Sequence, residues 1–301
     1  MADSHAGADC SVQPAKVLYD TDMTLDVDDV GALAVLHALA DRGEAELLAV
    51  NYNEVHEDGV AAIDAINTWY GRTVPIGAFK KELANPDASR YLPSLATFPH
   101  TATAATAPSA LDVYRAVLAA QQDASVTIIS VGFLNNLADL LRAEQSLAAR
   151  KVRCLVVMGG LRNDGFNFVR HGLVDSSAFV IENWPTPLVV SDFGGDVRTG
   201  TTLAPAPAEN PVREAYFRWF RGAYRGRSSW DQIAVLFGVR GPGGLFEVVE
   251  SGQGRLPNGY VWDLRPGWRM HFIPTRDTDM YVRLIDDLML MPPSGGARGG
   301  R

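Results

Sequence analysis

Short continuous apolar runs alternate along this chain with segments of helical period. Lys16 to Tyr19 is apolar, an acidic stretch follows, and Val30 to Ala40 has a spacing that lets Leu33, Leu36 and His37 or Ala40 share one face. This reads as strand, loop, helix. Ala45 to Tyr52 predicts a second strand, Gly59 to Tyr70 a helix closed by Gly71, and Val74 to Gly77 the start of a third strand. After an irregular excursion over residues 80–108, rich in Ala, Pro, Ser and Thr and readable as a lid or an interface, the rhythm returns. It predicts helices over Ser109–Gln122, Asn136–Ala143, Ser176–Asn183 and Trp230–Val239, with strands at Val126–Val131, Val152–Met158 and Leu188–Ser191. Strands that are apolar throughout belong to a parallel sheet covered on both faces. The expected fold is therefore α/β: a mostly parallel central sheet flanked by helices, as one domain over residues 16–290. Residues 246–283 alternate and are aromatic-rich, which predicts a small C-terminal β-rich extension; residues 1–15 read as a flexible N-terminus and 291–301 as a disordered tail.

Composition narrows the classes of function. The 301 residues are 47% hydrophobic and 21% charged, with a formal charge of -8, as in a globular protein with a substantial core. No Lys/Arg-rich stripe is present, so nucleic acid is not an expected partner. No apolar run approaches the ~20 residues of a bilayer span, and Met1 to Cys10 has neither the basic start nor the apolar middle of a signal peptide. With only Cys10 and Cys154, the latter in an apolar run, a disulfide framework is unnecessary, and a cytoplasmic, membrane-free protein is expected.

The informative charges are local. Asp20, Asp22, Asp26, Asp28 and Asp29 put five carboxylates in ten residues, directly after a strand and before a helix. Ligands in parallel sheets sit outside the carboxyl ends of the strands, which is where this loop falls. Carboxylates so crowded repel one another unless a cation neutralises them, and their hard oxygens suit Ca²⁺ or Mg²⁺. The alternative is a solvated, N-capping acidic loop. The spacing is not that of an EF-hand, whose glycine and closing glutamate are missing.

The segment YDTDMTLDVDDVGALAVLHAL resembles the amino-terminal signature of the nucleoside hydrolases, metal-dependent enzymes that hydrolyse N-ribosidic bonds. VGFLNNLADLL, VVMGG, GFNFVRHGLVDSSAFVIENWPTPLVV and SSWDQIAVLFGV follow in the family's order, from residue 17 to about 240. The resemblance implies the family's Rossmann-like fold and one Ca²⁺. Carried over by position, Asp22 is both a metal ligand and the base that activates water, Asp29 a bidentate ligand, and Asp231 and the carbonyl of Asn135 complete the set. Asp28, Asn53 and Asn167 are implied to hold the sugar, with Met158 packing beneath it. The chain has two more residues between Asp22 and the Asp28–Asp29 pair than the commonest pattern, like a variant branch of the family, so Asp20 and Asp26 take no assigned role. A small-molecule nucleoside-like substrate and a homodimer or homotetramer are likewise implied.

Two departures bear on chemistry. Where many members have a histidine that protonates the leaving base, this chain has Trp230, which stacks on a base but donates no proton in acid catalysis. Where the family offers a glutamate to the 5′-hydroxyl, it has Gly165, with Asp164 as a substitute. His56 and His171 lie near site positions and are candidate acids. His37, on an apolar helix face, reads as structural, Asp175 as a helix cap, Gly194–Gly195 as a turn, and Ala215–Trp230 as a base-binding wall or subunit interface. The reading is Ca-dependent hydrolysis of a ribonucleoside or modified ribonucleoside-like metabolite. Its rivals are a catalytically reduced nucleoside-binding protein and a tailoring enzyme acting on a modified glycoside at the same metal-diol site.

Overall fold

The computed structural model describes residues 13–159, 166–250, 253–255, 261–263 and 269–294. The first half runs β1 (Ala15–Thr21), α1 (Asp28–Asp41), β2 (Ala45–Tyr52), α2 (Gly59–Trp69), β3 (Ile76–Ala78), the single turn α3 (Leu92–Leu95), α4 (Ala110–Ala120), β4 (Val126–Ser130) and α5 (Asn135–Lys151). The second runs β5 (Val152–Met158), α6 (Val174–Asn183), β6 (Leu188–Ser191), β7 (Arg198–Thr199), α7 (Pro211–Trp219), β8 (Arg227–Ser228), α8 (Trp230–Arg240), β9 (Phe246–Glu250), β10 (Gln253–Arg255), β11 (Val261–Asp263), β12 (Arg269–Pro274) and α9 (Thr278–Leu290).

Eight strands form the main sheet in the order β3-β2-β1-β4-β5-β6-β12-β9, parallel except where β9 runs against β12. Successive strand residues point to opposite faces, so β1 feeds two cores: Val17 and Tyr19 join the layer with α1, α2, α8 and α9, and Leu18 joins the layer with α4, α5 and α6. Burial on both faces explains the unbroken apolar strands. The chain leaves β1 toward β2 on one side and returns with β4 on the other, which opens a crevice at the carboxyl ends of β1 and β4. The aspartate loop leaves β1 at that crevice.

Several expectations need correction. α1 is buried on every side from Asp28 to Leu39 rather than along one face, because α8 and α9 pack against it as well as the sheet. The predicted C-terminal β extension is only partly β. Its strand β12 enters the main sheet beside β6, and residues 278–290 form a helix with Asp277 capping the Met280 amide at 2.8 Å. Asp175 sits inside the first turn of α6, which begins at Val174, and does not cap it. The excursion over 80–108 is irregular apart from α3, yet Tyr91, Leu92 and Leu95 bury into the main core. Residues 1–12 and 295–301 lie outside the described residues; Ala15 already belongs to β1, and Ser294 hydrogen-bonds Asp41 at 2.9 and 3.0 Å. His37 is structural, buried against Asn67 (2.8 Å) and stacked on Tyr70. Among the described residues, no helix is long and apolar enough to cross a membrane.

Candidate functional site

A cavity of about 350 Å³ opens at the carboxyl ends of the strands. Asp22, Asp26, Asp28, Asp29, Val131, Met158, Gly159, Phe166, Asn167, Asp192, Arg227, Trp230 and Asp231 line it. Seven of the residues singled out from the sequence thus meet in one place: Asp22, Asp28, Asp29, Met158, Asn167, Trp230 and Asp231. They arrive from the ends of β1 and β5, the loop before α6, and the first turns of α1 and α8.

Asp22 is 8% exposed and Asp28, Asp29 and Asp231 are 1–2% exposed. Burial, and then the neighbouring carboxylates, push all four carboxyls well above the ordinary range: Asp26 acts most strongly on Asp22 and Asp28, Asp22 on Asp29, and Asp28 on Asp231. The cation in direct contact is Arg227, whose guanidinium meets Asp26 at 2.8 Å and Asp28 at 3.3 Å. Burial opposes the Arg227 charge, but Asp28, Asp26 and Asp231 outweigh it and hold the group above the usual arginine range. One arginine does not balance five acids. Oxygens of Asp26, Asp28 and Asp29 come within 4.8 Å of one another, and Asp231 Oδ1 is buried with no hydrogen-bond partner. Buried anions of this kind are stable only when paired, so the donor set fits a hard divalent cation. Asp26, which the sequence left without a role, belongs to this cluster.

The other expected residues stand behind or beside the cavity. Asn53 does not line it; its amide nitrogen donates to Asp20 and, at 3.0 Å, to the Phe133 carbonyl, and its oxygen accepts from the Phe133 amide. Asp20 also accepts from Tyr114 (2.7 Å) and Asn136 (3.2 Å) and ties the end of β1 to α4 and α5; burial raises its pKa to about 7. Asn135 donates from its side chain to the Asn53 carbonyl at 2.8 Å, which fixes the start of α5 against the end of β2. Asn167 does face the cavity, with its amide held by the carbonyls of Val131 (2.8 Å) and Met158 (3.2 Å). Neither His56 nor His171 lines the cavity. His56 accepts from the Asp58 amide at 3.2 Å, and His171 is turned toward Asp87. Asp164 and Gly165 lie outside the described residues.

Trp230 opens α8 and forms one wall, packed on the turn that follows β6. A Cβ on Gly195 would lie 2.8 Å from the Trp230 ring, so this turn has glycine because the indole occupies that space. Phe166, Arg227 and Asp192 were not found from sequence. Asp192 carried a usable signal, since it directly follows strand β6 and the ends of parallel strands are where ligands sit. Arg227 comes from the two-residue strand β8, which has no periodicity to read.

The comparisons with known proteins agree with this geometry. The model of the inosine-uridine preferring nucleoside hydrolase family matches residues 17–184, more than half of the chain. No curated protein matches the sequence. Among solved structures, an inosine-guanosine nucleoside hydrolase superposes with a TM-score of 0.69 at 15% identity, over 91% of this chain and 98% of its own. A purine-preferring ribonucleoside hydrolase from Gardnerella vaginalis gives 0.67 at 18%, over 91% and 98%. The type III effector protein XopQ, solved with adenosine diphosphate ribose, gives 0.66 at 14%, over 93% and 95%. These likenesses are of fold; the match over residues 17–184 is of sequence, and by it the chain belongs to the inosine-uridine preferring nucleoside hydrolase family, a family of N-glycosyl hydrolases.

Proposed function

We propose that the protein hydrolyses the N-glycosidic bond of a ribonucleoside or a modified ribonucleoside with the help of one Ca²⁺. The observation that carries the reading is the convergence of Asp22, Asp28, Asp29 and Asp231, all buried, on one cavity that Trp230 also lines. Asp22, Asp29 and Asp231, with the carbonyl of Asn135, would hold the ion. Bound there, the ion supplies a positive charge that acidifies a water and attracts the diol of ribose. Asp22 would serve as the base that accepts a proton from the attacking water. Burial and the neighbouring Asp26 hold its carboxyl above the ordinary range. Asp28 accepts from a ribose hydroxyl, and the carboxylates stabilise the positive charge that develops on the sugar as the bond breaks. Asn167 orients the sugar over Met158. Trp230 covers the base and excludes water from it.

For the leaving group, Asp192 is the better-placed acid. It lines the cavity, whereas His56 and His171 do not. A homo-oligomer in the cytoplasm completes the reading. The second reading, a nucleoside-binding protein with little turnover, is favoured by Trp230 standing where the resemblance implies a proton donor. One experiment separates them: release of reducing sugar from purine, pyrimidine and modified nucleosides, with and without calcium, by the wild type and Asp22→Asn. Calcium-dependent release abolished by the substitution supports hydrolysis. Tight binding without release from any of them supports the second reading.

A further inference from the structure

Beside the cavity lies a second cluster of ligand-type groups that the hydrolytic reading does not use. We propose that Glu54, Asp87 and His171 form a separate metal site that takes a divalent transition ion of the zinc type and fastens the excursion to the wall of the substrate cavity.

The three residues come from three segments: the loop after β2, the excursion over 80–108, and the loop before α6. One ligand atom from each lies within 4.8 Å of the other two. In a tetrahedral zinc site, neighbouring ligand atoms stand roughly 3.4 Å apart, so each group has to move by less than about 1 Å. His171 provides the independent pointer. Its side chain is only 4% exposed, and its Nδ1 lies 2.9 Å from the Ala84 carbonyl. A carbonyl only accepts, so Nδ1 carries the proton, and in the neutral ring Nε2 carries the lone pair. Nε2 is buried, makes no hydrogen bond and faces Asp87 Oδ2 at 3.4 Å. An imidazole fixed through one nitrogen by a carbonyl, with the other turned toward carboxylates, is how histidine is held for a metal.

The carboxylates are held as firmly. Glu54 is fully buried and accepts from the amides of Val55, His56 (3.0 Å) and Asp87 (2.9 Å). Asp87 gives Oδ1 to Arg170, which leaves Oδ2 for the site. Glu54, Asp87 and Arg170 sum to one negative charge with His171 neutral, which a divalent cation reverses rather than multiplies. Leu83, Phe133 and Leu173 form a small apolar core nearby, and the Phe133 and His171 rings meet in a T-shaped arrangement with centroids 4.7 Å apart, so the cluster has a dry floor. One imidazole with two carboxylates suits Zn²⁺ better than Ca²⁺, which prefers oxygen alone. The consequence reaches the cavity through Arg170, which lies 4.3 Å over Phe166, a lining residue.

The test is zinc binding to chelator-stripped full-length protein, followed by calorimetry, metal analysis and melting temperature. It compares the wild type, His171→Gln, Asp87→Asn and the cavity variant Asp29→Asn. We expect one zinc equivalent that excess calcium does not displace, a higher melting temperature on loading, and at least 100-fold weaker binding in both His171→Gln and Asp87→Asn. Asp29→Asn should keep its zinc, which makes this result independent of the hydrolytic reading. X-ray absorption of the loaded protein should show nitrogen and oxygen around the ion and no sulfur. Absence of zinc binding would overturn the proposal and leave His171 as a buried contact of Asp87. So would zinc that survives both cluster substitutions, or that is lost with Asp29.

Discussion

Asp22 occupies its place because Gly132 has no side chain. A Cβ at Gly132 would stand 2.5 Å from the Asp22 amide nitrogen and 2.7 Å from both Asp22 Oδ1 and Asn53 Oδ1. Backbone would have to move, so Gly132→Ala shifts the carboxylate proposed as the base. Misplacement of a reacting group by about 1 Å costs about 100-fold in rate. We therefore expect kcat to fall by about that factor, with a stability loss of about 1–3 kcal/mol, as for overpacking elsewhere; a variant with normal kcat would show that Asp22 tolerates the shift. Trp230 invites a different measurement. If its indole stacks on the base, Trp230→Ala weakens binding of a purine nucleoside by about 1–3 kcal/mol, by analogy with base–aromatic stacking. Ribose alone should bind the variant and the wild type equally. An equal loss for both ligands would place the tryptophan in cavity structure rather than base recognition.

At the level of elements, the site is where β1, its long loop and α1 meet the short strand β8. Among the described residues that line the cavity, Arg227 is the only non-acidic charge, and it clamps Asp26 and Asp28 while stacking over Trp219 at 5.4 Å. Trp219 in turn donates to the Leu25 carbonyl at 3.0 Å, so the extended aspartate loop is tied down at both its acidic and its apolar positions. Removing the arginine leaves buried like charges against one another, at a cost that a bound cation offsets. Chelator should accordingly lower the melting temperature of the wild type, and lower that of Arg227→Gln further. Added calcium should narrow the gap between them; a gap indifferent to calcium would mean that arginine and ion do not share these carboxylates. This arrangement also explains what the sequence revealed of the site. Asp22, Asp28 and Asp29 were legible because one loop carries them in an unmistakable density. Asp231 was legible only through likeness to a family, since a lone aspartate at a helix start is ordinary. Arg227 and Phe166 each contribute one side chain from a segment with no pattern of its own, and Asp192 had only its place after β6 to mark it; folding brings all three to the carboxylates.

Across the whole molecule, β1 to β6 were readable as short apolar runs, most of them leading into a segment of helical period. The failure came at the C-terminus. The pairing of β12 between β6 and β9 joins residues far apart in sequence, and no local feature announces it. α9 did carry a local signal, Asp277 as a cap followed by Tyr281, Ile285, Leu288 and Met289 at helical spacing, which the aromatic alternation before it obscured. These four side chains are buried, and the helix that carries them packs against α1. Burying each contributes about 1.5–3 kcal/mol, so together they amount to much of the 5–15 kcal/mol that holds a typical domain folded. Because α1 begins with Asp28 and Asp29, its support is also the support of the site. A chain ending at residue 277 should therefore lose cooperative unfolding and calcium-induced stabilisation together, as read by melting curves with and without the ion. Retention of a sharp, calcium-sensitive transition by the shortened chain would show instead that the sheet and α8 hold α1 in place without α9.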